Sequence, residues 1–504
     1  MNRTAETYES LMARKGEIIK RAVGIDYSLY ESGSIAFDYE ALMRSTGYSL
    51  QEIRGIQRET GVGETPLLEL RNLTGLSRGC AAPGKGARIF IKDEAAHPSG
   101  SFKARRAATS VYHAKKLGFK GVIAATSGNY GAAVASQAAM RGLDCIVVQE
   151  CFDSRGVGQP EIIEKARKCE AFGAEVVQLS VGPELFYIFL SLLEETGFFN
   201  ASLYTPFGVA GIETLGAELD AQMKKLTGRA PDAVVVTNAG GGNLTGTARG
   251  LASSAEQRSL SDTEIIAASV NLEGLNMASD REFNLKSFTT GHTGFGIPFS
   301  TFPDRSDVPR SAARPLRYMD RYVTVRQGEV FYTTEALARL EGLERGPAGN
   351  IALAAAFALA QEMDQDQTIV VQETEYTGAG KHVQPQLAFA RDNGIQILIG
   401  DPRDEVPGRS IILPREPGLI RPKELDLEEL RHSYIRHSVE FAREMKKRDA
   451  EKADRRRGDG TDLRRSDRAD LRFDKEDIRF LAEETKSTPG EVGRILQEPG
   501  LKER

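Results

Sequence analysis

From Ala87 to Leu398 the chain alternates short β-branched runs with helical stretches, and this rhythm constrains the fold more than any other feature of its 504 residues. ARIFIKDE (87–94), GVIAATS (121–127), DCIVVQE (144–150), EVVQLS (175–180), DAVVVTNAG (232–240), EIIAASVN (264–271) and TIVVQET (368–374) read as strands. Several are almost continuously apolar, as strands covered on both faces must be. FKARRAATSVYHAKKLGF (102–119), QPEIIEKARKCEAFG (159–173) and PELFYIFLSLLEETG (183–197) read as helices between them. Strand-helix-strand repetition predicts an α/β class with parallel sheets.

Composition narrows the function. A net charge of -5 argues against a generic nucleic-acid binder. Four cysteines are too few for a disulfide scaffold and lack the paired spacing of a zinc site, so no metal is expected. Cys145 and Cys151 read as buried thiols in a reducing, cytoplasmic protein. The charged start MNRTAETYESLMARKGEIIKR is no secretory signal, and no apolar run is long enough to span a membrane.

Residues 1–60 read as a polar helical extension. The stretch 442–472 holds 12 Lys/Arg and 8 Asp/Glu with almost no apolar residues, and reads as a solvated linker, disordered or helical. DKEDIRFLAEETKSTPGEVGRIL (474–496) reads as a small helical hairpin with Ser487 or Thr488 as a cap.

Three turns after strands are where ligands of an open α/β sheet are sought. In HPSGSFKARR (97–106), Lys103 opens a helix, whose positive end disfavours the charged amine. A lysine so placed can attack an aldehyde, although an exposed first-turn lysine would look the same. In ATSGNYGAAVA (125–135), the turn Ser127, Gly128, Asn129 offers amides to a carboxylate and a side-chain amide to a phenolate-like oxygen; an ordinary helix cap fits it too. In NAGGGNLTGTARG (238–250), Gly240, Gly241 and Gly242 allow close backbone approach before Asn243, Leu244 and Thr245 begin a helix. That is a phosphate cradle or a tight turn. It is no Walker loop, lacking Lys-Ser/Thr, and a poor dinucleotide fingerprint.

In combination and order, the three resemble the fold-type II pyridoxal-phosphate enzymes of the threonine synthase, threonine dehydratase and cysteine synthase group, over roughly residues 60–400. EGLERGPAGNIALAAA (341–356) adds a fourth similar segment. The resemblance implies a tryptophan synthase β-like fold: two open parallel-sheet domains with helical N- and C-terminal extensions. The large cofactor-binding domain then takes 61–105 and 216–400, a small α/β domain 106–215, a C-terminal segment 401–440, a charged linker 441–473 and a helical tail 474–504. It implies a Schiff base between Lys103 and pyridoxal 5'-phosphate, Asn129 at the cofactor's phenolic oxygen, and Gly240 to Thr245 at its phosphate. A neutral Thr belongs at the pyridine nitrogen; in QETEYTGAGKH (372–382) both Thr374 and Thr377 qualify.

MARKGEIIKRAVGIDY, GVGQPEIIEKARKCEAFGAEVVQL, SFTTGHTGFGIPF and ETEYTGAGKH further resemble the β subunits of 2-amino-4-ketopentanoate thiolases, enzymes of anaerobic ornithine breakdown. This implies a reaction of 2-amino-4-oxopentanoate with coenzyme A, giving acetyl-CoA and alanine, and a small α subunit beside a homo-oligomer of β. Thr126, Ser127, Gly128 and Asn129 become candidates for the substrate carboxylate. His292, between glycines, is a candidate to activate the thiol or polarise the C4 oxygen, with His97 a weaker one. Arg310, Arg314 and Arg317 could meet CoA phosphates or form a solvated basic surface. Another fold-type II enzyme, such as an ammonia-lyase or a β-replacement synthase, is the nearest rival.

Overall fold

Strands this apolar need cover on both faces, and the chain supplies it with helices packed about two main sheets, beside a two-stranded third. The computed structural model describes residues 7–126, 128–153, 156–158, 160–182, 184–254, 263–271, 297–305, 307–376, 382–457 and 473–497. In chain order the strands are β1 (Leu67–Glu69), β2 (Arg88–Asp93), β3 (Gly121–Thr126), β4 (Asp144–Phe152), β5 (Glu175–Ser180), β6 (Phe199–Asn200), β7 (Ala233–Thr237), β8 (Glu264–Val270), β9 (Arg321–Val325), β10 (Thr368–Glu373), β11 (Gln396–Gly400), β12 (Ser410–Pro414) and β13 (Lys423–Glu424). The larger sheet has the order β1-β2-β10-β7-β8-β9-β13. Its inner strands are parallel, and only the edges β1 and β13 pair antiparallel. The smaller sheet, β5-β4-β3-β6, is parallel throughout. Each expected strand is present; short β9 and the edge strands lack the long apolar run that would have marked them.

The N-terminal extension is helical, with α1 (Tyr8–Ala13), α2 (Lys15–Val23), α3 (Tyr39–Arg44) and α4 (Leu50–Arg58), before α5 (Arg71–Cys80). The sheets are then covered by α6 (Lys103–Lys116), α7 (Asn129–Arg141), α8 (Pro160–Ala171), α9 (Glu184–Thr196), α10 (Pro206–Thr227), α11 (Gly242–Ser254), α12 (Ile297–Thr301), α13 (Gln327–Glu341), α14 (Ile351–Leu359) and α15 (Val383–Asp392). Every residue of β3, β10 and α14 is buried. Among the described residues no helix is long and apolar enough to cross a membrane. Cys145, Cys151 and Cys169 are buried, and burial pushes each thiol up to about 12.

One expected boundary falls between paired strands. A break after residue 400 would part β11 from β12, which pair over Gln396–Gly400 and Ser410–Pro414. Of the two states open to the charged stretch, disordered or helical, it takes the helical one as far as 457, where α16 (Leu427–Arg457) continues through it. Its Lys, Arg, Glu and Ala are good helix formers, so low hydrophobicity did not end the helix.

The hairpin is α17 (Lys475–Thr485) and α18 (Pro489–Ile495), and Thr488 rather than Ser487 caps the second helix by accepting from the Glu491 N–H. The hairpin folds back on the N-terminal extension. The buried Asp477 carboxylate accepts the N–H groups of Ser34, Ile35 and Ala36 at 2.9, 2.8 and 3.0 Å.

Candidate active site

Lys103 is the first residue of α6, and its position is fixed from both sides. Before it, the loop 97–102 pairs with the chain leaving β10. The Phe102 N–H donates to the Thr374 carbonyl at 3.0 Å and the Tyr376 N–H to the Gly100 carbonyl at 2.8 Å. After it, Arg105 turns into a buried charge network. Its guanidinium donates to Glu94 at 2.7 and 2.9 Å and to Glu218 at 3.1 Å, while Lys92 reaches Glu218 at 2.5 Å. Burial works against the Glu94 carboxylate, yet Arg105 and His97 hold its pKa well below the usual range.

The Asn129 turn meets the same place. Asn129, buried at the start of α7, donates from Nδ2 to the Glu375 carboxylate. Its Oδ1 has no partner among the described residues. Gly128 before it has φ +151°, a conformation open to glycine, and a Cβ there would stand 2.3 Å from Lys165 Cδ. The Thr126 hydroxyl accepts from the Gly128 N–H at 2.9 Å, closing the turn. The 341–356 segment arrives too: the Gly346 N–H donates to the Glu375 carbonyl at 3.2 Å, and Gly349 lies against Glu373. Burial raises the Glu373 carboxyl pKa well above the usual carboxylate range, and the neighbouring Glu375 raises it further.

The glycine turn is tightly enclosed. A Cβ on Gly240 would stand 1.7 Å from the Tyr204 hydroxyl, one on Gly241 2.3 Å from Pro315 Cγ, and one on Gly242 2.2 Å from Arg106 Nη2. Arg106 follows Lys103 by three residues, so the triple-glycine turn and the lysine address the same face of α6. The Asn243 side chain is buried, and neither of its polar atoms is bonded among the described residues. Leu244 puts its side chain into the core and leaves only its amide to the turn. Thr245 spends its hydroxyl on the Gly241 carbonyl at 2.9 Å and accepts from the Arg314 N–H at 2.9 Å.

Lys103, Thr126, Gly128, Asn129, Thr374 and the turn from Gly240 are therefore neighbours through shared contacts, although they span most of the chain. Ser127, His292 and Thr377 lie outside the described residues. His97 is committed elsewhere, with Nε2 2.9 Å from Glu94. The arginines considered for CoA phosphates are structural rather than a solvated basic surface. Arg310 donates to the Ile35 carbonyl, and Arg314 and Arg317 meet Glu484 of the C-terminal hairpin at 2.8 and 3.2 Å. Sequence reasoning missed Lys165 and Lys168, on one face of α8. Lys165 pairs with Glu161 beside Gly128, and Lys168 donates to the Ser99 carbonyl at 2.9 Å. Their i, i+3 spacing was the available signal.

Glycines that bring amides close, a lysine at a helix start and buried unpaired atoms on Asn129 and Asn243 fit a small, phosphorylated, polar aromatic aldehyde. The chain belongs to the pyridoxal-phosphate dependent enzymes, whose family model matches residues 58–375. A threonine deaminase from T.th. has the same fold, with a TM-score of 0.50 and 25% identity, covering 66% of this chain and 100% of that one. O-ureido-L-serine synthase gives a TM-score of 0.50 at 20% identity, covering 67% and 94%. Within the class, the chain belongs with the 2-amino-4-ketopentanoate thiolase beta subunits. It is 66% identical over 492 residues to that of Acetoanaerobium sticklandii, covering 98% of both chains. It is 58% identical over 496 residues to another from an unknown prokaryotic organism, covering 98% and 99%.

Proposed function

We propose that this chain is the catalytic β subunit of an enzyme that cleaves 2-amino-4-oxopentanoate with coenzyme A to acetyl-CoA and alanine. The observation that carries the reading is the 66% identity, over nearly the whole chain, to a thiolase beta subunit. The cofactor's part, when bound, is to act as an electron sink for charge on the carbons next to the substrate's amine. The reaction needs one, because thiolate attack on the C4 ketone and scission of C3–C4 leave electrons on C3 with no thioester carbonyl to take them.

The chain supplies position and proton transfers. Lys103 Nζ holds the cofactor's aldehyde carbon and carries the proton at the substrate's α-carbon. Gly240, Gly241, Gly242 and the amides of Asn243 to Thr245 hold the phosphate at the start of α11. Asn129 faces the phenolic oxygen, with its orientation set by Glu375. Thr374, tied by its carbonyl to the residue before Lys103, or Thr377 meets the ring nitrogen. Thr126, Ser127, Gly128 and Asn129 receive the substrate carboxylate, and His292 acts on the thiol or the C4 oxygen. We place the protein in the cytoplasm with an α subunit as partner; its four free cysteines suit a reducing compartment.

The test is a coupled assay. The yellow protein with its partner is expected to form acetyl-CoA from the amino-ketone; pyruvate or 2-ketobutyrate with ammonia would assign it to the lyases instead. A band near ~410–430 nm, present in the native protein and absent in Lys103→Ala, checks the lysine's role.

A further inference from the structure

The arginines buried in the described residues nearly all meet an acid. Arg105 meets Glu94 and Glu218, Arg141 meets Glu59, Arg310 meets Asp304, and Arg314 meets Asp304 and Glu484. Arg106 is the exception. Its residue is 2% exposed, and among the described residues no carboxylate faces its guanidinium. Nη1 donates to the Leu203 carbonyl at 3.1 Å, and Nε has no partner among the described residues. The guanidinium carbon lies 5.7 Å from the Phe102 ring centroid. A buried cation without an anion is costly, and such groups are retained where an anion joins them.

The position of the side chain indicates which anion. Nη2 lies against Gly242, at the point where the triple-glycine turn becomes α11. The turn offers amides and the positive end of a helix. We propose that Arg106 is the counter-cation of the cofactor's phosphate, its guanidinium donating to phosphate oxygens alongside the amides of residues 240–243. The inference rests on the cofactor's phosphate lying in this turn. A planar guanidinium suits a phosphate because it donates from two nitrogens at fixed spacing.

The rival role is scaffolding, in which Arg106 only ties α6 to the Leu203 carbonyl. Full-length apoprotein and its Arg106→Gln and Arg106→Lys variants would be titrated calorimetrically with pyridoxal phosphate and with pyridoxal, which lacks the phosphate. If Arg106 pairs the phosphate, Arg106→Gln weakens pyridoxal phosphate by roughly 10- to 100-fold, the loss of a charge-assisted hydrogen bond, and leaves pyridoxal binding unchanged. Arg106→Lys falls between. The Arg106→Gln apoprotein melts no lower than the native apoprotein, since an unmatched buried charge has gone, but gains less from the phosphorylated ligand. Equal weakening of both ligands, or an apo variant that melts lower with its phosphate preference intact, makes Arg106 scaffolding and overturns the proposal. A native protein that binds pyridoxal as tightly as pyridoxal phosphate overturns the cradle itself, which is a separate failure.

Discussion

Replacing Arg105 by Met should cost about 3–5 kcal/mol at pH 8, the usual penalty for removing one partner of a buried ion pair. Arg105 and Glu94 are both fully buried, and their pair is bidentate at 2.7 and 2.9 Å. Without Arg105, Glu218 keeps its direct pair with Lys92, whereas Glu94 is left with hydrogen bonds to His97 and the Thr65 hydroxyl and the more distant Lys92 charge, so most of the loss falls on Glu94. The pH dependence follows from the direction of the shift. Glu94's folded pKa lies well below its unfolded value near 4.5, so its stabilisation is fully present above that value and is lost as pH falls through the folded pKa. In the variant, burial is no longer opposed by the guanidinium, and Glu94 takes up a proton on folding. The difference between native protein and variant is therefore largest at pH 8 and shrinks toward pH 5. Urea unfolding followed by circular dichroism at both values measures it. A loss under about 1 kcal/mol, or an equal loss at both pH values, would refute the ion-pair account. The double variant E94L/R105M should recover most of the loss, because no buried charge is then stranded.

Gly128→Ala must hold alanine in a glycine-only conformation and push Lys165 aside, at about 1–3 kcal/mol of strain; a raised KM for the amino-ketone with cofactor binding intact is expected in steady-state assays. Burial lowers the His113 pKa to about 4, beneath Phe207 at 3.9 Å. The unfolded chain thus gains the proton first, and stability should fall as pH drops from about 6.5 toward about 4. His113→Phe should flatten that limb of the pH-stability curve, and an unchanged limb would show that another group is responsible. Asp477→Ala strands the buried amides of Ile35 and Ala36 and should cost about 3 kcal/mol; faster hydrogen exchange at those amides is the direct readout.

The α/β class and the main strands were legible because apolar β-branched runs such as 368–373 have few other ways to bury themselves. The segments that meet around Lys103 were legible in outline, because a lysine at a helix start and a glycine turn each carry a local chemical signature. What stayed hidden was pairing across distance. Arg314 and Glu484 are 170 positions apart, and nothing near either marks an ion pair. The same arginines looked like a phosphate surface, since a basic stretch reads alike whether it faces water or a buried acid. Edge strand β13 has two residues and no periodicity to detect.

Arg105 and Arg106 show why composition cannot assign such roles. Successive residues on a helix point about 100° apart, so adjacent arginines serve different faces of α6. Arg105 turns toward Glu94 and Glu218, and with Lys92 and His97 it fixes the first turn of the helix. Arg106 shares the Lys103 face and reaches the Gly242 backbone. One turn of helix thus holds Lys103, an anchoring guanidinium and a second guanidinium that we propose pairs an anion. The anchor has its counter-charges within the chain, whereas the cation at the glycine turn has none among the described residues. For these two arginines, the presence of an internal counter-charge assigns the first to the scaffold, and its absence among the described residues is what led us to propose a ligand for the second.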